Sequence, residues 1–350
     1  MRIAQIAPLA ESVPPKAYGG TERIVSYLTE ELVRQGHEVT LFASGDSTTR
    51  AELHATVPTA LRLTPTIKDP WAYAALQLDH VRARADEFDV LHFHCDYLHL
   101  PVIRALGLRN TVTTMHGRLD LDGYRELFET CCDAPLVSIS DQQRRPLQHC
   151  NWAGTVYHGL PADVCRFEPH STGGYLAFLG RISPEKRVDR AIEIAGRAGM
   201  KLRIAAKVDA ADRKYFHESI EPLLTQPHVE FVGEIGEREK RDFLGQASVL
   251  LFPIDWPEPF GLVMIEAMSC GTPCVAWRAG SVPEIINEGV NGFIVDSIDG
   301  AVAAVHRARS LDRHAIRAEF QQRFSVERMT RDYLTIYRRV AESRFGKAAA

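Results

Sequence analysis

The chain has 350 residues, 45% of them hydrophobic, which is enough to bury substantial cores, and at roughly 100 to 200 residues per domain the length predicts two domains. A formal net charge of −4 excludes the global basic field of a general nucleic-acid binder, so any polyanion has to be held by a local cluster. No apolar run approaches the roughly 18 residues read as a membrane span, and seven scattered cysteines without a CxxC pair point to buried free thiols in a reducing cytoplasm.

Strand and helix patterns alternate from the N-terminus. "RIAQIAPL" reads as a buried strand, and Glu11 follows too soon for the apolar region of a cleavable signal. "TERIVSYLTEELVRQG" sets Ile24, Leu28 and Leu32 on one helical stripe, with Gly36 as the stop. "EVTLFAS", "DVLHFHC", "TVTTMH", "PLVSIS" and "GTVYH" are further strands, separated by helix-length segments. Such alternation implies a parallel sheet covered on both faces. "LPADVCRFEPHSTG" breaks the pattern as a linker would, and the scheme restarts with "GYLAFLGR", "KLRIAAKV", "VEFVG", "SVLLFPI" and "TPCVAW". "EKRVDRAIEIAGRAG" and "EREKRDFLGQA" are helices between them. The expectation is two doubly wound α/β domains, residues 1–165 and 172–325, with a ligand cleft outside the carboxyl ends of their strands. Residues 326–350 carry a basic helix with Met329, Tyr333 and Tyr337 spaced by four, the stripe of a packed structural helix; a membrane-surface helix is the competing reading.

Three stretches carry chemistry. In "PEPFGLVMIEA", Pro257 and Pro259 favour a turn before a helix beginning near Phe260 or Gly261. The first amides of a helix lack internal acceptors and sit at the positive end of its dipole, so this turn is an anion site. Glu258 falls in the loop before it and Glu266 in the second helical turn beyond it. A carboxylate on either side of a diphosphate suits a nucleotide sugar, whose sugar and ribose both present vicinal hydroxyls; the bland alternative is two surface charges. "FLGRISPEKRVD" gathers Arg181, Lys186 and Arg187 at a strand end and helix start. Cations there oppose the helix dipole and suit an anion, a diphosphate leaving group included. "KAYGGTER" offers Gly19 and Gly20 for close backbone approach to phosphate, without a G-x-G-x-x-G or Walker sequence. Two other patterns weigh less. His92 and His94 of "LHFHCD" share a strand face with Asp96 nearby, a spacing a metal could use, and Asp120 and Asp122 of "DLD" form a pair too short to be specific.

Taken together, "PEPFGLVMIEAMSCGTPCVA", "GRISPEK", "AYGGTE" and "TMHG" closely resemble the retaining glycosyltransferases of family 4, which have the GT-B fold of two Rossmann-like domains. The resemblance spans most of the chain. It makes residues 1–165 the acceptor side, 172–325 the donor side and 326–350 a helix crossing back to the first domain. It assigns Glu258 to the donor-sugar hydroxyls and Glu266 to the ribose, with the amides of Phe260, Gly261, Leu262 and Val263 on the sugar or diphosphate. Arg181 and Lys186 match the diphosphate-binding pair, Gly19 and Gly20 the glycine loop, and His116 a histidine near the reacting centre.

The resulting expectation is an enzyme that moves a hexosyl group from a UDP- or GDP-sugar to a hydroxyl acceptor with retention. A front-face mechanism would operate without a metal or other cofactor. Its partners would be the nucleotide sugar and a small-molecule, glycan or lipid-linked acceptor, with no nucleic acid and with peripheral membrane contact left open. A nucleotide-sugar epimerase or hydrolase on the same fold, and a non-catalytic nucleotide-sugar binding protein, are the alternatives.

Overall fold

A computed structural model describes residues 1–16, 19–64 and 67–345. Ala17 and Tyr18 of the predicted glycine loop, and residues 346–350 of the last helical segment, lie outside the described residues. The chain divides into two compact units, residues 1–159 together with the segment from Val326 onward, and residues 160–325.

Unit 1 contains β1 (Arg2–Ile6), α1 (Gly20–Arg34), β2 (Glu38–Ser44), β3 (Glu52–Val57), α2 (Pro70–Arg84), β4 (Val90–Phe93), α3 (Leu100–Ala105), β5 (Thr111–Thr114), α4 (Tyr124–Thr130), β6 (Leu136–Ser138) and β7 (Trp152–Thr155). The strands form one sheet in the order β3-β2-β1-β4-β5-β6-β7, every pairing parallel. Both faces are covered, as the near-continuous apolar strands require: in β2, Phe42 enters one buried cluster while Leu41 and Ala43 enter another. The α1 stripe predicted from periodicity is fully buried at Ile24, Leu28 and Leu32. β7 begins two residues earlier than "GTVYH", and β3 ("ELHATV"), which sequence reasoning passed over, is the outer strand.

Unit 2 runs β8 (Tyr175–Arg181), α5 (Val188–Arg197), β9 (Lys201–Lys207), a short α6 (Arg213–Tyr215), β10 (Val229–Gly233), α7 (Glu237–Gly245), β11 (Val249–Phe252), α8 (Leu262–Ser269), β12 (Cys274–Trp277), a short α9 (Val282–Ile285), β13 (Gly292–Val295), α10 (Ile298–Ala308) and α11 (Arg313–Arg323). Its parallel sheet has the order β10-β9-β8-β11-β12-β13. The order reverses between β8 and β11, the topological switch point at which open α/β sheets take ligands. Ser297 and Asp312 cap α10 and α11 by accepting from Gly300 N–H and His314 N–H.

The last helix, α12 (Val326–Phe345), belongs to unit 1 and packs against α1, β4 and β5. Met329, Tyr333 and Tyr337 are its fully buried face. All seven cysteines are free, five of them buried, while Cys132 is exposed, against the expectation of buried thiols throughout. No helix among the described residues is long and apolar enough to cross a membrane.

Candidate active site

In unit 2, the predicted residues converge at the switch point. β8 ends on Arg181, and a 3-10 turn at Pro184–Lys186 precedes α5. The neighbouring β11 ends at Phe252 and leads through residues 253–261 into α8. The two loops are stitched together where Asp255 N–H donates to the carbonyl of Glu185 at 2.8 Å. Lys186 Nζ donates to Glu258 Oε2, and Trp256 Nε1 donates to the same oxygen at 2.9 Å. The ammonium also lies 4.8 Å from the Trp256 ring centroid, a cation–π contact. Arg181 reaches Asp209 at 3.4 Å and Glu185 at 3.2 Å. Arg187, in the left-handed region at φ 53°, is bound to Asp189 and Asp255. The three cations therefore precede α5 rather than open it, and each has carboxylate partners. A surface of simply solvated charges is not what the chain builds.

α8 starts at Leu262, later than the sequence suggested, so Phe260 lies outside the helix and its carbonyl accepts from Ser281 Oγ at 2.7 Å. Gly261 is the N-cap, at φ 79°. Leu262 and Val263 occupy the first turn, and Glu266 lies in the second. Glu266 is buried, against the alternative of an exposed helix charge, and its Oε1 accepts from Lys240 Nζ at 2.6 Å. Lys240, on α7, also reaches Glu237 at 2.8 Å. Burial alone would lower the lysine, but the Glu266 and Glu237 carboxylates hold it above the ordinary lysine value. Sequence reasoning missed Lys240 and Trp256. It also missed Gly280 (φ 52°), where a Cβ would stand 2.3 Å from both the N and the O of Glu258. Trp256 was legible as a neighbour of the motif; the other two were not.

In unit 1, Gly19 is the extended residue before α1 and Gly20 its first residue. His116 follows β5, and its Nε2 meets His94 Nδ1 at 2.9 Å while its ring stacks on His158 at 5.4 Å. His94 Nε2 meets Gln5 Oε1 at 2.7 Å. His92 is held by Tyr337 OH at 2.6 Å and Thr114 Oγ1 at 2.7 Å. Both ring nitrogens of His92 and of His94 are thus engaged by side chains. Among the described residues, no three His, Cys, Asp or Glu side chains are grouped to hold a metal ion. Burial lowers His116 to about 3 and drives His92, His94 and His158 well below the usual imidazole value. All four are neutral at pH 7.

Comparison with known proteins matches residues 166–323 to the family model "Glycosyl transferases group 1" and residues 18–151 to "Glycosyltransferase Family 4", which between them span most of the chain. The chain is 28% identical to the GDP-mannose-dependent alpha-(1-6)-phosphatidylinositol dimannoside mannosyltransferase of Mycobacterium tuberculosis, over 89% of this chain and 87% of that one. It is 23% identical to a GDP-mannose-dependent alpha-mannosyltransferase of Corynebacterium glutamicum, over 85% of this chain and 78% of that one. Among solved structures it is similar to AviGT4, a glycosyltransferase involved in Avilamycin A biosynthesis, with a TM-score of 0.74, 23% identity and 98% of both chains covered.

Proposed function

Because the chain belongs to glycosyltransferase family 4 and has its GT-B fold, we propose that it transfers a hexosyl group from a nucleoside diphosphate sugar to an acceptor hydroxyl with retention of anomeric configuration. The observation that carries this reading is the convergence of Arg181, Lys186, Glu258 and the start of α8 at the carboxyl ends of β8 and β11. A diphosphate is the ligand for which that set is complete. Arg181 would exchange its bonds to Asp209 and Glu185 for phosphate oxygens. Lys186 would supply a second charge and the first turn of α8 its amides. Glu258 would take hydroxyls of the donor sugar, and the free oxygen of Glu266 those of the ribose.

Catalysis on this reading is stabilisation of the departing diphosphate, whose negative charge grows as the sugar ring becomes cationic. The protein cations and helix amides would do this without a metal ion. The leaving phosphate itself would help deprotonate the acceptor. His116, the histidine that the family resemblance assigns to the reacting centre, would contribute as a neutral imidazole. Two relatives aligned over most of their length are named as GDP-mannose-dependent, which supports GDP-mannose as the first donor to test.

Thermal-shift screening against UDP-, GDP-, ADP- and dTDP-sugars tests the donor, since a ligand of the folded state raises its apparent stability. We expect GDP-mannose to give the largest shift. Transfer should persist in chelator, and the product should keep the donor's anomeric configuration by NMR. Lys186→Ala should lower kcat by roughly 10²- to 10³-fold, the cost of one preorganised charge stabiliser. Near-normal turnover by that variant would count against the site, and loss of activity in chelator would count against a metal-independent step.

A further inference from the structure

The geometry points to Gln5 as a positioning residue that fixes the proton arrangement of His94, so that His116 presents a bare Nδ1 as an acceptor for a sugar hydroxyl. This inference rests on the proposed role of His116 and adds to it which ring atom acts and what sets it.

Gln5 is fully buried on β1, and its two amide atoms face different partners. Its Nε2 donates to Tyr337 OH at 3.0 Å, and its Oε1 lies 2.7 Å from His94 Nε2. A carbonyl oxygen only accepts, so His94 must carry its proton on Nε2. The ring is neutral, and its Nδ1 is therefore a lone pair. Nδ1 lies 2.9 Å from His116 Nε2, and two imidazoles share only one proton on that contact. His116 thus carries its single proton on Nε2. Its Nδ1 is then unprotonated, and it is buried with no hydrogen-bond partner among the described residues.

The circuit has a second self-consistent polarity, with the amide reversed and every proton moved to the other side. In that state His116 would hold a buried N–H with no acceptor. The orientation of the Gln5 amide, with Nε2 on Tyr337 OH and Oε1 on His94, selects the arrangement above. The rest of the network holds the rings in place. Tyr337 OH, accepting from Gln5, is free to donate to His92 Nδ1, and His92 Nε2 can then donate to Thr114 Oγ1. His158 stacks on His116 with its plane tilted by only 14°. A buried lone pair on a ring so clamped is an acceptor that no described residue satisfies.

The titratable groups facing His94 and His116 are His92 on β4, His158 after β7, and Tyr333 and Tyr337 on α12, with the Arg328 guanidinium near His158. None is an anion, so nothing in the wild-type cluster draws a proton onto His94. Gln5→Glu changes this. A carboxylate still accepts from His94 Nε2 but favours the imidazolium, whose Nδ1–H then donates to His116 Nε2. His116 must move its proton to Nδ1 and loses its acceptor. The variant's kcat should be low at acid pH and recover as pH rises and His94 deprotonates, a limb absent from the wild type. Gln5→Leu, which leaves His94 Nε2 without its partner, should lower kcat roughly ten-fold with little change in donor KM.

The test needs no variant at its first step. In the unliganded protein, 15N NMR of the histidine rings should show Nδ1 of His116 unprotonated and Nε2 of His94 protonated. A protonated Nδ1 on His116 overturns the inference, whatever the activity. So does a folded Gln5→Glu variant, checked by its melting temperature, whose pH–rate profile matches the wild type. Failure of the proposed function reads differently: full transfer by His116→Ala removes the residue from the reaction, while the wild-type spectrum still shows the bare Nδ1.

Discussion

At the residue scale, Glu266 and Lys240 tie stability to the candidate site. Their side chains are each only 10% exposed, which separates them from surface pairs worth about 0–1 kcal/mol. Breaking a buried pair on one side leaves an uncompensated charge, at a cost of about 3–5 kcal/mol. Lys240→Met should lose that much in urea unfolding. The double variant Lys240→Met/Glu266→Leu should recover most of the loss while donor binding, on the proposed role of Glu266, stays impaired. If the single variant is as stable as the wild type, the buried Lys240–Glu266 contact does not stabilise the fold. The sequence announced the glutamates through their spacing and the switch-point cations through their density. It could not announce Lys240, 26 residues away, because the pairing is set by how α7 packs on α8 and not by any local pattern.

At the element scale, the loop carrying Glu258 is shaped by its neighbour after β12. Gly280 and Gly289 both have positive φ, so alanine strains the backbone at either position, by about 1–2 kcal/mol. They differ in surroundings. A Cβ at Gly280 would meet the backbone of Glu258 and Pro257, whereas at Gly289 it would meet nothing within 4 Å. Gly280→Ala should therefore displace Glu258 and lower activity by more than about 10²-fold, the cost of misplacing a reacting contact by roughly 1 Å. Gly289→Ala should lose only the strain common to both positions and keep its turnover. Equal activity of the two variants, measured beside their melting temperatures, would detach Gly280 from the site. The elements that sequence reading identified were those with strong periodicity or continuous apolar runs, such as α1, β2 and β9. It missed β3, an outer strand of mixed polarity, and β13, whose "GFIV" is only four residues long. It also placed the starts of α5 and α8 too early, because the Lys186 turn and the Gly261 cap are fixed by tertiary contacts.

At the scale of the whole molecule, alternation of strand and helix was enough to read two parallel sheets, since right-handed crossovers leave few other topologies. What it could not show is the histidine network, in which Gln5 and Tyr337 meet across 332 residues of sequence. That network has a consequence for stability. His92, His94, His99, His116 and His158 all lie in unit 1, and burial holds each below its ordinary value, His99 and His116 at about 3. In the unfolded chain they titrate near 6.5. As pH falls below about 6.5, the unfolded state binds protons that the folded state refuses, so the stability of unit 1 falls, and keeps falling toward the folded values. Each group contributes up to about 1.4 kcal/mol per pH unit in that window. Urea unfolding between pH 7 and 5 should therefore show a slope steeper than about 1.4 kcal/mol per unit for unit 1. Half-buried Trp152 in β7 reports this unit and Trp277 in β12 reports unit 2, so tryptophan-to-phenylalanine variants separate the two transitions. A unit 1 transition that stays flat from pH 6.5 to 5 would mean that these imidazoles accept protons while folded, against the burial that lowers each of them.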